Sequence, residues 1–150
     1  MRSTKPTATN NATAGYATAF IDCLRRARPQ LVEKRIRVGT NAGGLNPKAC
    51  RTKIFEVARE LGVSGFKVGV VEGDDLLGRL PDLLGRGHEL RNMDSGAPLA
   101  PRLSRVTSAN AYIGARPVAE ALDGGALIVL CGRVTDTALA LGPLVHEFGW

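Results

Sequence analysis

The sequence has no apolar run near the roughly 18 residues that a membrane-spanning helix needs, so we expect no membrane span. Aromatic residues make up only 5%, which favours an aliphatic core and leaves few rings for stacking on nucleic-acid bases. Residues 1–14 lack the apolar segment of a signal peptide, and the three cysteines form no CxxC pair. We therefore expect a cytoplasmic protein with neither a disulfide framework nor a metal site.

Positive charge is concentrated in the first part of the chain. Residues 1–60 hold 12 Lys or Arg against 4 Asp or Glu, whereas residues 61–150 hold 8 against 10, for a total net charge of +6. The basic residues are interleaved with predicted core positions and have no aromatic neighbours of the kind that bind bases. Nucleic-acid binding is therefore the function that the sequence favours least.

Helical and strand patterns alternate along the chain from Gly15 onwards. Residues 1–14 are rich in Thr, Asn and Ala without a period, which predicts a disordered lead ahead of a partial α/β domain over residues 15–150. The predicted strands are short and apolar, at residues 36–40, 66–71 and 126–131. This alternation predicts an α/β fold with a parallel sheet of βαβ units, Rossmann-like in three layers and incomplete at both ends.

Several helix boundaries carry specific signals. Asn46 as N-cap and Pro47 predict a helix start, and Gly62 predicts its end. Pro29 is expected to kink or split the first helix. Other predicted helices follow Asp74 or Asp75, begin at Ser108 or Asn110 and run through Ala121, and extend from Thr135 or Asp136 through Phe148, with Leu141 and Leu144 facing inward.

Ligands of open parallel sheets bind beyond the carboxyl ends of the strands, so the segments after the three strands are the candidate site. The first contains Asn41, Gly43, Gly44 and Asn46 ahead of a helix, whose unpaired amides would favour a phosphate or carboxylate. It is neither a Walker loop nor a GxGxxG fingerprint. The competing interpretation is a plain tight turn.

Three carboxylates follow the second strand within four residues: Glu72, Asp74 and Asp75. Crowded carboxylates perturb one another's pKa and suit acid–base work or a hard cation. We take them as catalytic candidates and assign no metal. The alternative is that at least one aspartate caps the following helix.

The segment after the third strand offers Arg133, whose planar fork suits a carboxylate or phosphate, and Asp136, which could orient Arg133 or cap the last helix. Ser108 and Asn110 could line the same cleft. Cys131 lies at the strand end, but a cysteine in an apolar strand is more typical of an inert small hydrophobe than of a nucleophile.

Four motifs in series resemble the N-terminal domain of the acyclic terpene utilisation family: NAGGLNP (41–47), VVEGDDLL (70–77), SANAYIGARPVAEAL (108–122) and CGRVTDTALALGPLVHEFGW (131–150). The resemblance implies degradation of citronellol- and geraniol-like terpenes, which proceeds through coenzyme A thioesters of branched acids. It also implies a longer domain, so we expect this chain to be a fragment. It carries over no catalytic residues and no established cofactor.

Two functional expectations follow. The first is binding or conversion of a branched acyl-coenzyme A thioester, a small molecule whose anionic groups would lie at Asn41, Gly43, Gly44 and Arg133. The alternative is a non-catalytic binding or assembly module that docks on a partner subunit or on another copy of the chain. Whether the chain is an enzyme stays open at this point.

Overall fold

The computed structural model describes residues 15–150, apart from the side chains of Arg28 and Pro29, so the predicted lead lies outside the described residues. The helices and strands are α1 (Thr18–Glu33), β1 (Val38–Thr40), α2 (Pro47–Glu60), β2 (Val68–Val71), α3 (Leu80–Gly85), α4 (Arg116–Asp123), β3 (Ile128–Cys131) and α5 (Ala138–Phe148). Short 3₁₀ helices occupy Leu77–Arg79 and Ala100–Arg105. Within residues 15–150 no helix has the length and apolarity to cross a bilayer.

The three strands form one parallel sheet in the order β1-β3-β2. All four residues of the central strand β3 are buried, in keeping with an apolar run that shows no alternation. Successive side chains of a strand point to opposite faces. Ile128 and Leu130 accordingly pack against α1 and α2, whereas Val129 and Cys131 pack against α4 and α5. The predicted parallel α/β architecture is confirmed.

The ends of the first two helices follow their local sequence signals. Asn46 caps α2 by accepting the Ala49 amide at 3.1 Å, and Pro47 opens the helix as predicted. Helix α1 is not split at Pro29 and continues to Glu33.

Helix α1 ends in a Schellman turn. The Ile36 amide donates to Leu31 O at 2.9 Å and the Arg35 amide donates to Val32 O at 3.3 Å. Arg35 occupies the left-handed position of this turn, with φ 51°, where glycine is usual. A residue with a Cβ is less stable there by about 1–2 kcal/mol.

The predicted helix start at Ser108 or Asn110 is wrong. Asn110 and Ile113 lie in extended backbone, where Asn110 bridges Asp75 and Ile113 bridges Val134. Helix α4 begins only at Arg116, with a proline in its first turn. The backbone bonds to these two partners compete with helical hydrogen bonds and extend the segment, a tertiary effect that local pattern does not reveal.

The capping of α5 and the identity of its buried face also differ from the prediction. In the part of the chain that the structure describes, no side chain caps α5. Its first amides donate to backbone carbonyls instead, such as the Ala138 amide to Thr135 O at 2.8 Å. Leu141 and Leu144 are 44% and 38% exposed, whereas Gly142 is buried. The small size of Gly142 lets α5 approach α4, which turns the leucines outward.

Replacement of Gly142 by alanine should destabilise the fold. The new Cβ would lie 2.6 Å from Val118 Cβ and Cγ1, so α5 must move away from α4, at a cost of about 1–3 kcal/mol. Gly85→Ala is the matched control, because a Cβ there meets open space at the end of α3. Thermal unfolding should show a lower Tm for Gly142→Ala alone, and equal Tm values for the two variants would contradict this packing.

Candidate functional site

The three strands end side by side, so the segments that follow them converge at one edge of the sheet. Thr40 pairs with Leu130, and Val71 pairs with Cys131. Residues 41–47, 72–76 and 132–137 therefore leave the sheet together, with the segment after β3 in the middle. We call this side of the sheet the carboxyl edge.

The turn after β1 is held tightly against the central strand. A Cβ at Gly43 would lie 2.5 Å from Cys131 O and 2.8 Å from Pro47 Cβ, so only glycine fits. Several amides of this turn are taken up within the chain, because the turn bonds to itself and to its neighbours. Intrachain acceptors take the amides of Ala42, Gly44, Leu45, Asn46 and Ala49.

Asp74 is the buried carboxylate of the carboxyl edge, with 6% of its surface exposed. Its Oδ2 accepts from Asn110 Nδ2 at 3.1 Å, and its backbone oxygen accepts from Ala111 at 2.8 Å. Its Oδ1 lies 2.5 Å from where a Cβ of Gly132 would be. Asp74 is thus held between the extended segment around Asn110 and the end of β3, and it does not cap a helix.

Glu72 and Asp75 are exposed on either side of Asp74. Lys48 Nζ lies 3.6 Å from Glu72 Oε2, an exposed ion pair that contributes little stability. Asp75 Oδ1 accepts from the Leu77 amide at 2.9 Å, which fixes the turn into the 3₁₀ helix, but the N-cap position of that helix is Leu76 and not the aspartate.

A cleft of about 400 Å³, which we call the carboxyl-edge cleft, is lined from three stretches: the turn after β1 with the start of α2, the segment after β2, and residues 107–110. It brings together six of the predicted site residues: Gly44, Glu72, Asp74, Asp75, Ser108 and Asn110. The remainder of its lining was not predicted: Leu45, Pro47, Lys48, Gly73, Leu77 and Thr107. One ammonium against three carboxylates gives these walls a net charge of −2 when all are ionised. Lys48 lies in the first turn of α2, directly after the predicted helix start, and this position could have identified it as a site residue.

The other predicted site residues are not among the cleft-lining side chains. Gly43 is buried in the turn after β1, Asn46 is occupied as a helix cap, and Asn41 and Asp136 are exposed. Arg133 extends outward, with its Cζ 5.5 Å from the centre of the Tyr112 ring and Nη2 3.5 Å from the Tyr112 hydroxyl. Arg133 therefore lies near the carboxyl edge but outside the cleft.

Metal ligation finds no support among the residues that the structure describes, which contain no group of three His, Cys, Asp or Glu placed to hold an ion. Cys131 is fully buried at the carboxyl end of β3. Burial, helped by the charge of Asp74, raises the pKa of the Cys131 thiol to about 11. The thiol is therefore protonated near neutral pH and is a poor nucleophile.

A family model described as "Acyclic terpene utilisation family protein AtuA" matches residues 1–150. The resemblance carried by the four motifs is thereby confirmed. No curated protein and no solved structure matches the chain.

Thiol labelling should distinguish the three cysteines. Cys23 is exposed, whereas burial raises the pKa of both Cys50 and Cys131 to about 11. At pH 8, Ellman's reagent should modify only Cys23 in the folded chain, and all three thiols after denaturation. Cys23→Ser should abolish the native reaction, whereas a second thiol reacting as fast as Cys23 would contradict the burial.

Because of these two thiols, the free energy of unfolding should fall as the pH becomes alkaline. Their pKa rises from 9.0 to about 11 on folding, so the folded chain retains protons that the unfolded chain releases. The contribution of the two thiols to the free energy of unfolding is complete below pH 9 and is lost as the pH rises through 11.

Proposed function

The chain belongs to the acyclic terpene utilisation family, and we therefore propose that its carboxyl-edge cleft binds the acyl end of a branched acyl-coenzyme A thioester. The observation that carries this proposal is the cleft itself, which lies beyond the carboxyl ends of parallel strands and is built by the segments after β1 and β2 together with residues 107–110. Ligands of open α/β sheets bind at this position. Its volume of about 400 Å³ lies within the range of small-molecule sites.

Apolar side chains in the cleft suit a branched hydrocarbon chain. Leu45 is 68% exposed and lines the cleft together with Pro47 and Leu77. An acyl chain laid against these residues would remove apolar surface from water, at about 25 cal/mol per Å² buried. Polar groups of Ser108 and Asn110 lie in the same cleft, where they could contact the thioester carbonyl.

The charge of the cleft determines which end of the thioester enters. Its carboxylates outnumber its single ammonium, so the phosphates of coenzyme A are disfavoured inside. Lys48 is exposed at the rim and Arg133 lies outside on the same side of the sheet. We assign the phosphates to these two cations, which leaves the acyl chain and the thioester in the cleft.

We assign proton transfer in this arrangement to Glu72 and Asp75, which line the cleft, whereas Asp74 is held by Asn110 and fixes the wall of the cleft. The carbon next to a thioester carbonyl is acidic. A carboxylate oxygen that takes its proton becomes a carboxylic acid, and the electron pair moves to the thioester oxygen as an enolate.

A second candidate function is assembly without chemistry. Helix α5 exposes Leu141 and Leu144, and Phe148 stacks on Trp150 with their ring centres 5.4 Å apart. Exposed apolar residues at successive turns of one helix are typical of a contact surface. A homo-oligomer or a partner subunit would cover them.

Geranyl-coenzyme A should raise the Tm of the chain more than coenzyme A alone. A ligand at 100 times its Kd stabilises by about 2.7 kcal/mol, which corresponds to several degrees. Leu45→Ser should reduce this rise by removing an apolar wall, and Met93→Ser, at a fully exposed position outside the cleft, should leave it unchanged. Equal Tm values with and without millimolar thioester, together with a particle size that grows with concentration, would favour the assembly function instead.

Proton transfer can be tested separately from binding. In D₂O, the chain should exchange the hydrogens on the carbon next to the thioester carbonyl of citronellyl-coenzyme A, measured by mass spectrometry. Glu72→Gln with Asp75→Asn should lower this exchange at least about tenfold, as expected for loss of a general base, while the thermal shift persists. Asp94→Asn is the matched control on an exposed loop carboxylate. Exchange that survives in the double variant would contradict this role.

A further inference from the structure

A second cleft opens at the opposite edge of the sheet, where the strands begin. Its volume is about 890 Å³, and it shares no lining residue with the carboxyl-edge cleft. The charged groups in its walls are Arg35, Arg37, Lys67 and Glu147, three cations against one carboxylate. We call it the amino-edge cleft.

Two of these cations have structural partners. Arg37 forms an ion pair with Glu147, and Lys67 Nζ donates to Gly124 O at 3.1 Å, at the end of α4. A cation at a helix carboxyl terminus offsets the partial negative charge of the last carbonyls. Both side chains nevertheless keep further N–H donors, because a guanidinium has five and an ammonium has three.

Arg35 differs from these two cations. Within residues 15–150 its guanidinium makes no hydrogen bond or ion pair, and its backbone holds the left-handed position of the α1 Schellman turn. Glycine would satisfy that turn without strain. The chain thus carries an unpaired arginine in the amino-edge cleft at a position where arginine lowers stability.

We propose that the amino-edge cleft binds a small molecule through a phosphate group, with Arg35 as the principal contact. A guanidinium fork matches phosphate oxygens bidentately, and the net charge of +2 on the cleft favours a dianion. Phe66 and Leu127 line the same cleft and offer an apolar wall to the body of the ligand. This site is separate from the thioester site and does not depend on it.

The test measures both fold stability and phosphate binding in a variant of Arg35. Inorganic pyrophosphate and adenosine diphosphate are the probes, at low, constant ionic strength. Arg35→Gly should raise the Tm of the unliganded chain by about 2–4 °C, because it relieves the left-handed strain. The same variant should weaken pyrophosphate binding by about tenfold in calorimetry, because it removes a charge-assisted contact. If adenosine diphosphate binds more tightly than pyrophosphate, the apolar wall contacts the body of a phosphorylated metabolite. If the two probes bind equally well, the site takes the free anion.

Leu90→Gly is the matched control, since Leu90 also has a positive φ, of 46°, and lies outside the cleft. It should relieve strain of the same kind and leave pyrophosphate affinity unchanged. The proposal is wrong if Arg35→Gly binds pyrophosphate as well as the wild-type chain does, or if sulfate at equal ionic strength binds as tightly as pyrophosphate.

Discussion

The burial of β3 on both faces and its pairing on both sides constrain everything else in this structure. Because Ile128–Cys131 is covered by helices above and below, its carboxyl end is the fixed point around which the neighbouring segments arrange. Gly43 lies against the Cys131 carbonyl, and Gly132 lies against the Asp74 carboxylate, at distances that leave no room for a Cβ. The carboxyl-edge cleft thus depends on glycine at two contacts with a single strand end.

Local sequence accounts for the elements whose determinants lie within a few residues. The apolar run ending at Cys131 predicts a strand buried on both faces, and Asn46 followed by Pro47 predicts the start of α2. The rule that parallel strands present their carboxyl ends together then places Glu72, Asp74 and Asp75 at one edge. These three residues do line one cleft. Their roles in catalysis remain a proposal.

Tertiary contacts account for what the sequence did not predict. Asn110 lies 36 residues from Asp74 along the chain, in a stretch whose pattern favours a helix, and its contacts with Asp74 and Asp75 hold it at the carboxyl edge. Gly142 likewise determines which face of α5 is buried, although hydrophobic periodicity favours Leu141 and Leu144. The left-handed backbone of Arg35 has no signal in the sequence, because arginine is not a residue typical of that conformation.

Binding of the acyl thioester at the carboxyl edge of the sheet can be mapped through the amide resonances of the ¹⁵N-labelled chain during titration with geranyl-coenzyme A. If the thioester binds there, shifts should concentrate in the three segments that contribute the cleft lining, residues 44–48, 72–77 and 107–110. Shifts confined to the amino-edge cleft around Arg35 and Lys67, or to the exposed face of α5, would contradict it.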